Sequence, residues 1–237
     1  AKYNNVIGGK KNKFYIFDFC GNFEFFRMSK GKASAATMSL PEAIFNLEFQ
    51  MAYKLQDLQY QEEELIEYRK NLVNVMVEKV QELDRSNFSI RQHIKYVDTY
   101  SVKENYQALT YESTLNVKEE LAPYILPDND DDVRALRFDA LLFGLELACL
   151  VQKKYGKAKR DLLRIVRNIS STANIPEIQV QSELINKILH TDFVDKAGIA
   201  DFETIRENLR NLVKYIVNER KIYETNFEED ILSMEYH

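Results

Sequence analysis

Apolar side chains recur at helical spacing through most of the chain after residue 33. Residues 39–42 (SLPE) have the pattern of a capping box, which predicts that a helix starts there. The predicted helical stretch continues to about Arg85, with a break near Gln59. Because Glu62 and Arg69 interrupt a strict heptad, this stretch is predicted to be a packed globular helix and not a coiled coil. Its second part carries the apolar stripe Leu65, Leu72, Met76, Val80 and Leu83.

The most apolar element is the helix predicted for residues 133–155, which we expect to form the centre of the core. Gly156 is expected to end or bend it. The loop before it, residues 127–132 (PDNDDD), places acidic side chains at the helix N-terminus, where the macrodipole favours negative charge. An EF-hand is excluded, since no Gly or closing Glu follows at the required spacing.

The remaining helices are predicted from their start signals. Residues 101–104 (SVKE) and 116–119 (NVKE) each look like a helix start. Pro176 is expected to open a helix that continues to about Leu189. Asp201 or Thr204 is expected to open the last helix, which continues to about Val217.

The segment 14–19 (FYIFDF) differs from the predicted helices, because it is a short β-prone run with apolar residues on both alternating sides. Such a strand belongs inside a sheet that is covered on both faces. The chain offers almost no partner strand, and 220–227 is a weak candidate. The segment is therefore interpreted as the last strand of a sheet from another domain, with an arm lying on the helical body as the alternative.

Composition supports this division. The chain has 237 residues and a net charge of −5. It contains only 7 Gly and 4 Pro, whereas Gly and Pro together make up about 12% of an average protein, which would be roughly 28 residues here. Four of the seven glycines lie in residues 1–32, and that segment carries seven basic and two acidic residues. We therefore predict a boundary near residue 32 and a mainly α fold: a multi-helix domain, 33–237, preceded by a short β segment left over from an α/β domain.

Several classes of protein are disfavoured. The longest nearly apolar run, 141–151, is too short to cross a bilayer, so no membrane association is expected. Cys20 and Cys149 are too far apart in sequence to suggest a disulfide framework or a cysteine zinc site, and no signal peptide opens the sequence. A cytoplasmic location is the resulting expectation. Scarce glycine argues against a sandwich, a barrel or a Gly-rich phosphate-binding fold.

Signatures of catalysis are missing from the sequence. There is no Walker A loop, no G-x-S-x-G elbow and no H-E-x-x-H motif. His93, His190 and His237 are separated from one another, so each is interpreted as a surface or satisfied histidine and not as a metal ligand. Glu146 lies in the apolar helix and is expected to form a salt bridge with a basic residue of another helix. A functional carboxylate with a perturbed pKa is the alternative.

One charge cluster is exceptional, because residues 153–167 contain seven basic side chains and a single acid, Asp161. At helical spacing four of the seven fall on one face, and such a stripe can bind a phosphate backbone or a protein partner. The alternatives are a solvated face or pairing with the acidic runs at 62–67 and 128–132. The basic stripe comprises Lys153, Lys154, Lys157, Lys159, Arg160, Arg164 and Arg167.

Two stretches resemble a known family. Residues 13–26 (KFYIFDFCGNFEFF) resemble the end of the second RecA-like motor domain in the restriction (R) subunits of type I restriction enzymes. Residues 205–216 (IRENLRNLVKYI) and 221–229 (KIYETNFEE) are similar to the C-terminal helical part of the same subunits. The two matches bracket nearly the whole chain, and neither contains a catalytic signature.

The resemblance implies that residues 1–32 end a RecA-like α/β domain and that 33–237 form a C-terminal helical domain. The parent would be an ATP-dependent type I site-specific deoxyribonuclease that translocates and cleaves DNA, with ATP and Mg²⁺ held by its other domains. This chain would hold no cofactor and would be a non-catalytic assembly domain that docks the motor onto the modification and specificity subunits. The alternatives are a self-contained helical nucleic-acid-binding module and a scaffold that uses the helical stretch 40–85.

Overall fold

A computed structural model describes residues 38–127, 132–172 and 174–216, and all regular structure in these ranges is helical. The mainly α fold is therefore confirmed for this part of the chain. The predicted strand at 14–19, the boundary near residue 32 and the candidate strand at 220–227 lie outside the described residues. The α-helices are α1 (Leu40–Lys54), α2 (Glu63–Gln81), α3 (Phe88–Gln92), α4 (Ile94–Tyr100), α5 (Tyr111–Glu120), α6 (Val133–Leu150), α7 (Gly156–Ser170), α8 (Pro176–Val180), α9 (Ser182–His190), α10 (Phe193–Lys196) and α11 (Ile199–Leu209).

Four short 3₁₀ segments complete the described structure. They are Leu58–Tyr60, Lys103–Tyr106, Ala122–Tyr124 and Arg210–Tyr215. None of the helices in the described ranges is both long enough and apolar enough to cross a membrane.

Helix α6 is the centre of the fold, as its apolar sequence predicts. It packs mainly against α1 and α11, and its two faces contribute to different cores. Residues such as Leu136, Phe143 and Leu147 join the core formed with α1, α2, α4 and α5. Phe138 and Leu142 face a second core formed with α7, α9 and α11. A helix that is apolar all round is thus buried all round.

The first predicted helix starts where its capping box indicates. The side chain of Ser39 accepts a hydrogen bond from the backbone N–H of Glu42, and the Glu42 carboxylate accepts from the N–H of Ser39, both at 3.3 Å. The predicted break near Gln59 lies in the 3₁₀ segment that separates α1 from α2. Helix α2 then ends at Gln81, earlier than the expected end near Arg85. In the predicted stripe, Leu65 is partly buried and Leu72, Met76, Val80 and Leu83 are buried.

The prediction that Gly156 ends or bends the central helix is wrong. Helix α6 ends at Leu150, and Gly156 is the first residue of α7. The stop signal is Gln152, which takes the left-handed conformation (φ 53°) usually occupied by glycine. Its N–H donates to the carbonyl of Cys149, and that of Lys153 donates to the carbonyl of Ala148, which together form a Schellman motif.

Two of the predicted helix starts are also wrong. Residues 101–104 lead only into a 3₁₀ turn, whereas the α-helices of that region, α3 and α4, come before it. Residues 116–119 lie in the last part of α5, which starts five residues earlier. Thr110 caps α5 together with Ser113 at N3, and this pairing is weaker as a sequence signal than Ser/Thr with Glu. The helix predicted from Pro176 is interrupted at Gln181, and α11 starts at Ile199.

Candidate functional site

The basic stripe lies at the start of the second half of the fold. Lys153 and Lys154 belong to the connection between α6 and α7, and the other five residues lie in α7. The opposite face of α7 is buried in the second core, which fixes the direction in which the stripe points. That buried face consists of Leu162, Ile165, Val166 and Ile169.

The structure divides the stripe into paired and unpaired cations. Lys159 forms an ion pair with Asp195, and Arg164 donates to Asp161 at 2.6 Å. Arg160 and Arg167 are exposed and form no ion pair with any carboxylate of the described residues, and the same is true of Lys153 and Lys154. Arg160 and Arg167 are seven positions apart on one helix face, so both are accessible to an anionic partner.

A second surface, which the sequence did not suggest, is a cleft between α2 and α11 with a volume of about 1170 Å³. Helices α1 and α6 form its floor, and residues 125–127 contribute to its wall. The cleft is lined by both charged and apolar side chains, in contrast to the all-polar basic stripe. The apolar lining includes Ile44, Leu65, Leu72, Val75, Leu126, Leu136, Phe143 and Ile199.

The acidic groups of the cleft floor have cationic partners. Glu48 on α1 is bound by Lys79 on α2, with 3.1 Å between Oε2 and Nζ. Asp139 on α6 accepts a hydrogen bond from Arg210 at 2.7 Å and is also paired with Arg206 at 3.4 Å. Burial raises the pKa of Glu48 and of Asp139, and the neighbouring cations oppose this rise.

Arg206 is the link between α11 and α6 in this network. Its guanidinium binds both carboxylate oxygens of Glu203 at 2.6 Å, and it lies over the ring of Phe143, 4.9 Å from the ring centroid. Burial alone would lower the pKa of Arg206, but Glu203 and Asp139 reverse that effect and raise it. The arginine is therefore permanently charged and held in place by two carboxylates.

Among the described residues, no basic side chain of another helix forms the salt bridge expected for Glu146, so that prediction is wrong. Glu146 is completely buried in α6, and its Oε2 accepts a hydrogen bond from the hydroxyl of Tyr68, which lines the cleft. Its Oε1 has no hydrogen-bond partner among the described residues. Burial raises the pKa of Glu146 well above 4.5, and the hydrogen bond from Tyr68 opposes part of this rise. Burial likewise raises the pKa of Tyr68, so burial favours the neutral form of both partners.

The rims of the cleft carry exposed carboxylates. Glu63, Glu64 and Glu67 belong to the first turns of α2, and Glu207 lies on α11. The cleft as a whole is lined by seven acidic and three basic residues, a formal charge of −4. A sequence signal for it exists in retrospect: residues 64, 68, 71, 75 and 79 follow helical spacing beside the core stripe of α2. All of these except Val75 carry polar groups, which hid this second face.

His93 and Cys149, two other residues with potential catalytic or metal-binding chemistry, both have structural surroundings that account for them. His93 is bonded at both ring nitrogens, to Glu120 Oε2 and to the hydroxyl of Tyr124, each at 2.7 Å, so it is a satisfied histidine as predicted. Burial raises the pKa of the Cys149 thiol to about 11, which disfavours a nucleophilic thiolate at neutral pH. Across the described ranges, no group of three or more His, Cys, Asp or Glu residues has the arrangement of a metal site.

Comparisons with known proteins add no relative. No protein-family model matches the chain, and neither a curated protein nor a solved structure is significantly similar to it.

Proposed function

We propose that this chain is the non-catalytic helical assembly domain of the R subunit of a type I restriction enzyme. In this proposal it docks a DNA-translocating motor onto the modification and specificity subunits in the cytoplasm. ATP and Mg²⁺ would be bound by the motor domains of the parent subunit and not by this chain. The proposal originates in the resemblance of residues 13–26, 205–216 and 221–229 to such subunits.

The observation that carries the proposal is the position of the stretch 205–216 within the helical body. This stretch forms the last five residues of α11 and the 3₁₀ segment that follows, and both elements pack against the central helix α6. This one of the three resembling stretches therefore belongs to the core of the domain. The buried side chains of the stretch are Ile205, Leu209, Leu212, Val213 and Ile216.

The test is to co-express the chain with the modification and specificity subunits encoded beside its gene. We expect the three proteins to co-purify and to sediment as one complex, and we expect the isolated chain to hydrolyse no ATP. A gene neighbourhood without methyltransferase and specificity genes would contradict the proposal. ATP hydrolysis by the purified chain alone would contradict it equally.

A second candidate function, nucleic-acid binding by a self-contained module, is favoured by the exposed pair Arg160 and Arg167. A cationic helix face of this kind binds phosphates by releasing counterions, so affinity falls as salt rises. The double variant Arg160→Ala/Arg167→Ala should weaken binding of duplex DNA and reduce the salt slope by about 2.

The matched control is Arg91→Ala/Lys103→Ala, which removes two exposed cations outside the basic stripe. This control should leave the DNA affinity unchanged. If the Arg160/Arg167 variant instead no longer binds the modification and specificity subunits but still binds DNA, the stripe is a protein contact. DNA affinity that is indifferent to salt would reject the nucleic-acid function.

A further inference from the structure

The cleft between α2 and α11 has the length of a protein segment. Its α2 wall extends from Glu63 to Lys79, which at 1.5 Å per residue is about 24 Å, or more than four helical turns. Its α11 wall includes residues 199–207. A volume of about 1170 Å³ exceeds the range of about 300–1,000 Å³ that is typical of small-molecule pockets.

The excess negative charge of the cleft lies on its rims. Three of its carboxylates, Glu48, Asp139 and Glu203, are neutralised by Lys79, Arg210 and Arg206. The four others are exposed, and of these Glu67 forms an ion pair with the solvent-facing Lys70. An exposed pair of that kind is weak and is readily exchanged for another cation. The rim carboxylates are Glu63, Glu64, Glu67 and Glu207.

The same cleft also presents exposed apolar side chains. Val75 is 40% exposed and Leu126 is 76% exposed, although both line the cleft. Deeper in the cleft the lining includes Ile44, Leu72 and Phe143. A ligand that fills the cleft therefore has to be apolar along one side and basic along its edges.

We propose that this cleft binds a basic amphipathic helix of a partner protein. Apolar side chains of that helix, at positions i, i+3, i+4 and i+7, would cover Val75 and Leu126, as in other helix-in-groove complexes. Lysine or arginine residues flanking them would reach the rim carboxylates. A nucleic acid is disfavoured, since the same carboxylates repel phosphates. The inference concerns a different surface from the basic stripe, and it holds whichever complex the chain belongs to.

The probe is a synthetic 16-residue peptide with leucine at i, i+3, i+4 and i+7 spacing and lysine elsewhere, tested by fluorescence anisotropy against the full chain. A comparison peptide has glutamate in place of every lysine. We expect the lysine peptide to bind at least about tenfold more tightly than the glutamate peptide. Equal binding of the two peptides would overturn the proposal.

Charge-reversal variants assign the binding to the cleft. The triple variant Glu63→Lys/Glu67→Lys/Glu207→Lys should lower the affinity for the lysine peptide at least about tenfold. The control Glu78→Lys/Glu82→Lys/Glu104→Lys changes the net charge equally at exposed positions that do not line the cleft, and it should retain affinity. Thermal unfolding followed by circular dichroism establishes that both variants fold. Equal weakening by both variants would mean non-specific charge attraction and would reject the site.

Carbodiimide labelling of carboxylates, followed by mass spectrometry, gives a readout that needs no substitution. Bound lysine peptide should protect Glu63, Glu64 and Glu207 and leave Glu78 and Glu104 labelled as before. If these rim carboxylates are already protected in the protein alone, and dilution exposes them while it dissociates a dimer, the occupant is a second copy and the proposal fails. Unchanged labelling in the presence of bound peptide would also overturn it.

Discussion

The cleft and the basic stripe both contain arginines, but the two regions use them differently. Arg206 in the cleft is clamped by Glu203 and Asp139, and its side chain is only 21% exposed. Arg160 and Arg167 in the stripe are exposed and have no carboxylate partner within the described part of the chain. A charge that leaves water needs a partner, whereas a charge at the surface is already solvated. The paired, buried charges of the cleft therefore hold helices together, and the exposed Arg160 and Arg167 of the stripe are available to a ligand.

The largest effect expected from this comparison is on stability. Arg206→Met would leave Glu203 without its cation and the buried Asp139 with Arg210 alone, so the free energy of unfolding should fall by about 3 kcal/mol. The same substitution in the stripe, Arg160→Met, should change it by less than about 0.5 kcal/mol. Urea denaturation of both variants measures the difference. Equal losses would mean that the two regions do not differ as described.

The next effect concerns the dependence of stability on pH. The pKa of Glu146 is raised above 4.5 in the folded protein, so folding retains a proton that the unfolded chain releases. The free energy of unfolding should therefore fall as pH rises above 4.5, by up to about 1.4 kcal/mol per pH unit until the folded pKa is reached. Glu146→Gln removes this contribution.

The difference in unfolding free energy between Glu146→Gln and the unmodified protein should thus shift in favour of the variant as pH rises. Other titrating groups, including Glu48 and Asp139, are common to both proteins and cancel in this difference. Glu78→Gln at an exposed position is the control for the change from carboxylate to amide. A flat profile for Glu146→Gln would refute a raised pKa for this buried carboxyl group.

The smallest effect concerns the turn between α6 and α7. This turn joins a helix of the cleft to the helix that carries most of the basic stripe. Gln152 has a positive φ of 53°, which costs a non-glycine residue about 1 kcal/mol. Gln152→Gly should therefore raise the free energy of unfolding by up to about 1 kcal/mol, measured by denaturation. DNA or partner binding by the stripe should not change. Destabilisation by this glycine would contradict the Schellman geometry of the turn.

Structural features that depend on signals within one or a few helical turns could be predicted from the sequence. The capping box at Ser39 and Glu42 located the start of α1, because both of its hydrogen bonds join residues three positions apart. The uninterrupted apolar pattern of α6 indicated its central place. The end of α6 was missed because a glutamine in the left-handed conformation has no distinctive sequence signature. The start of α5 was missed because its N3 residue is Ser113 and not glutamate.

The cleft could not be found from sequence, since its two walls are more than a hundred residues apart. Glu203 and Tyr68 line the same cavity only because α2 and α11 lie above the shared floor of α1 and α6. The basic stripe was visible as a charge cluster, but its division into paired and unpaired cations depended on where Asp195 lies after folding. Contacts between segments that are distant in sequence therefore decide which charges remain available to a ligand.

The sequence alone determined the helical class, the central apolar helix, the cap of α1 and the existence of a basic stripe, because periodicity, capping and composition are local properties of the chain. Only the tertiary structure decided that Glu146 bonds to Tyr68 without a salt bridge, that Arg206 serves two carboxylates, and that α2 and α11 enclose a cleft. These outcomes depend on burial, and burial is set by the packing of the whole domain.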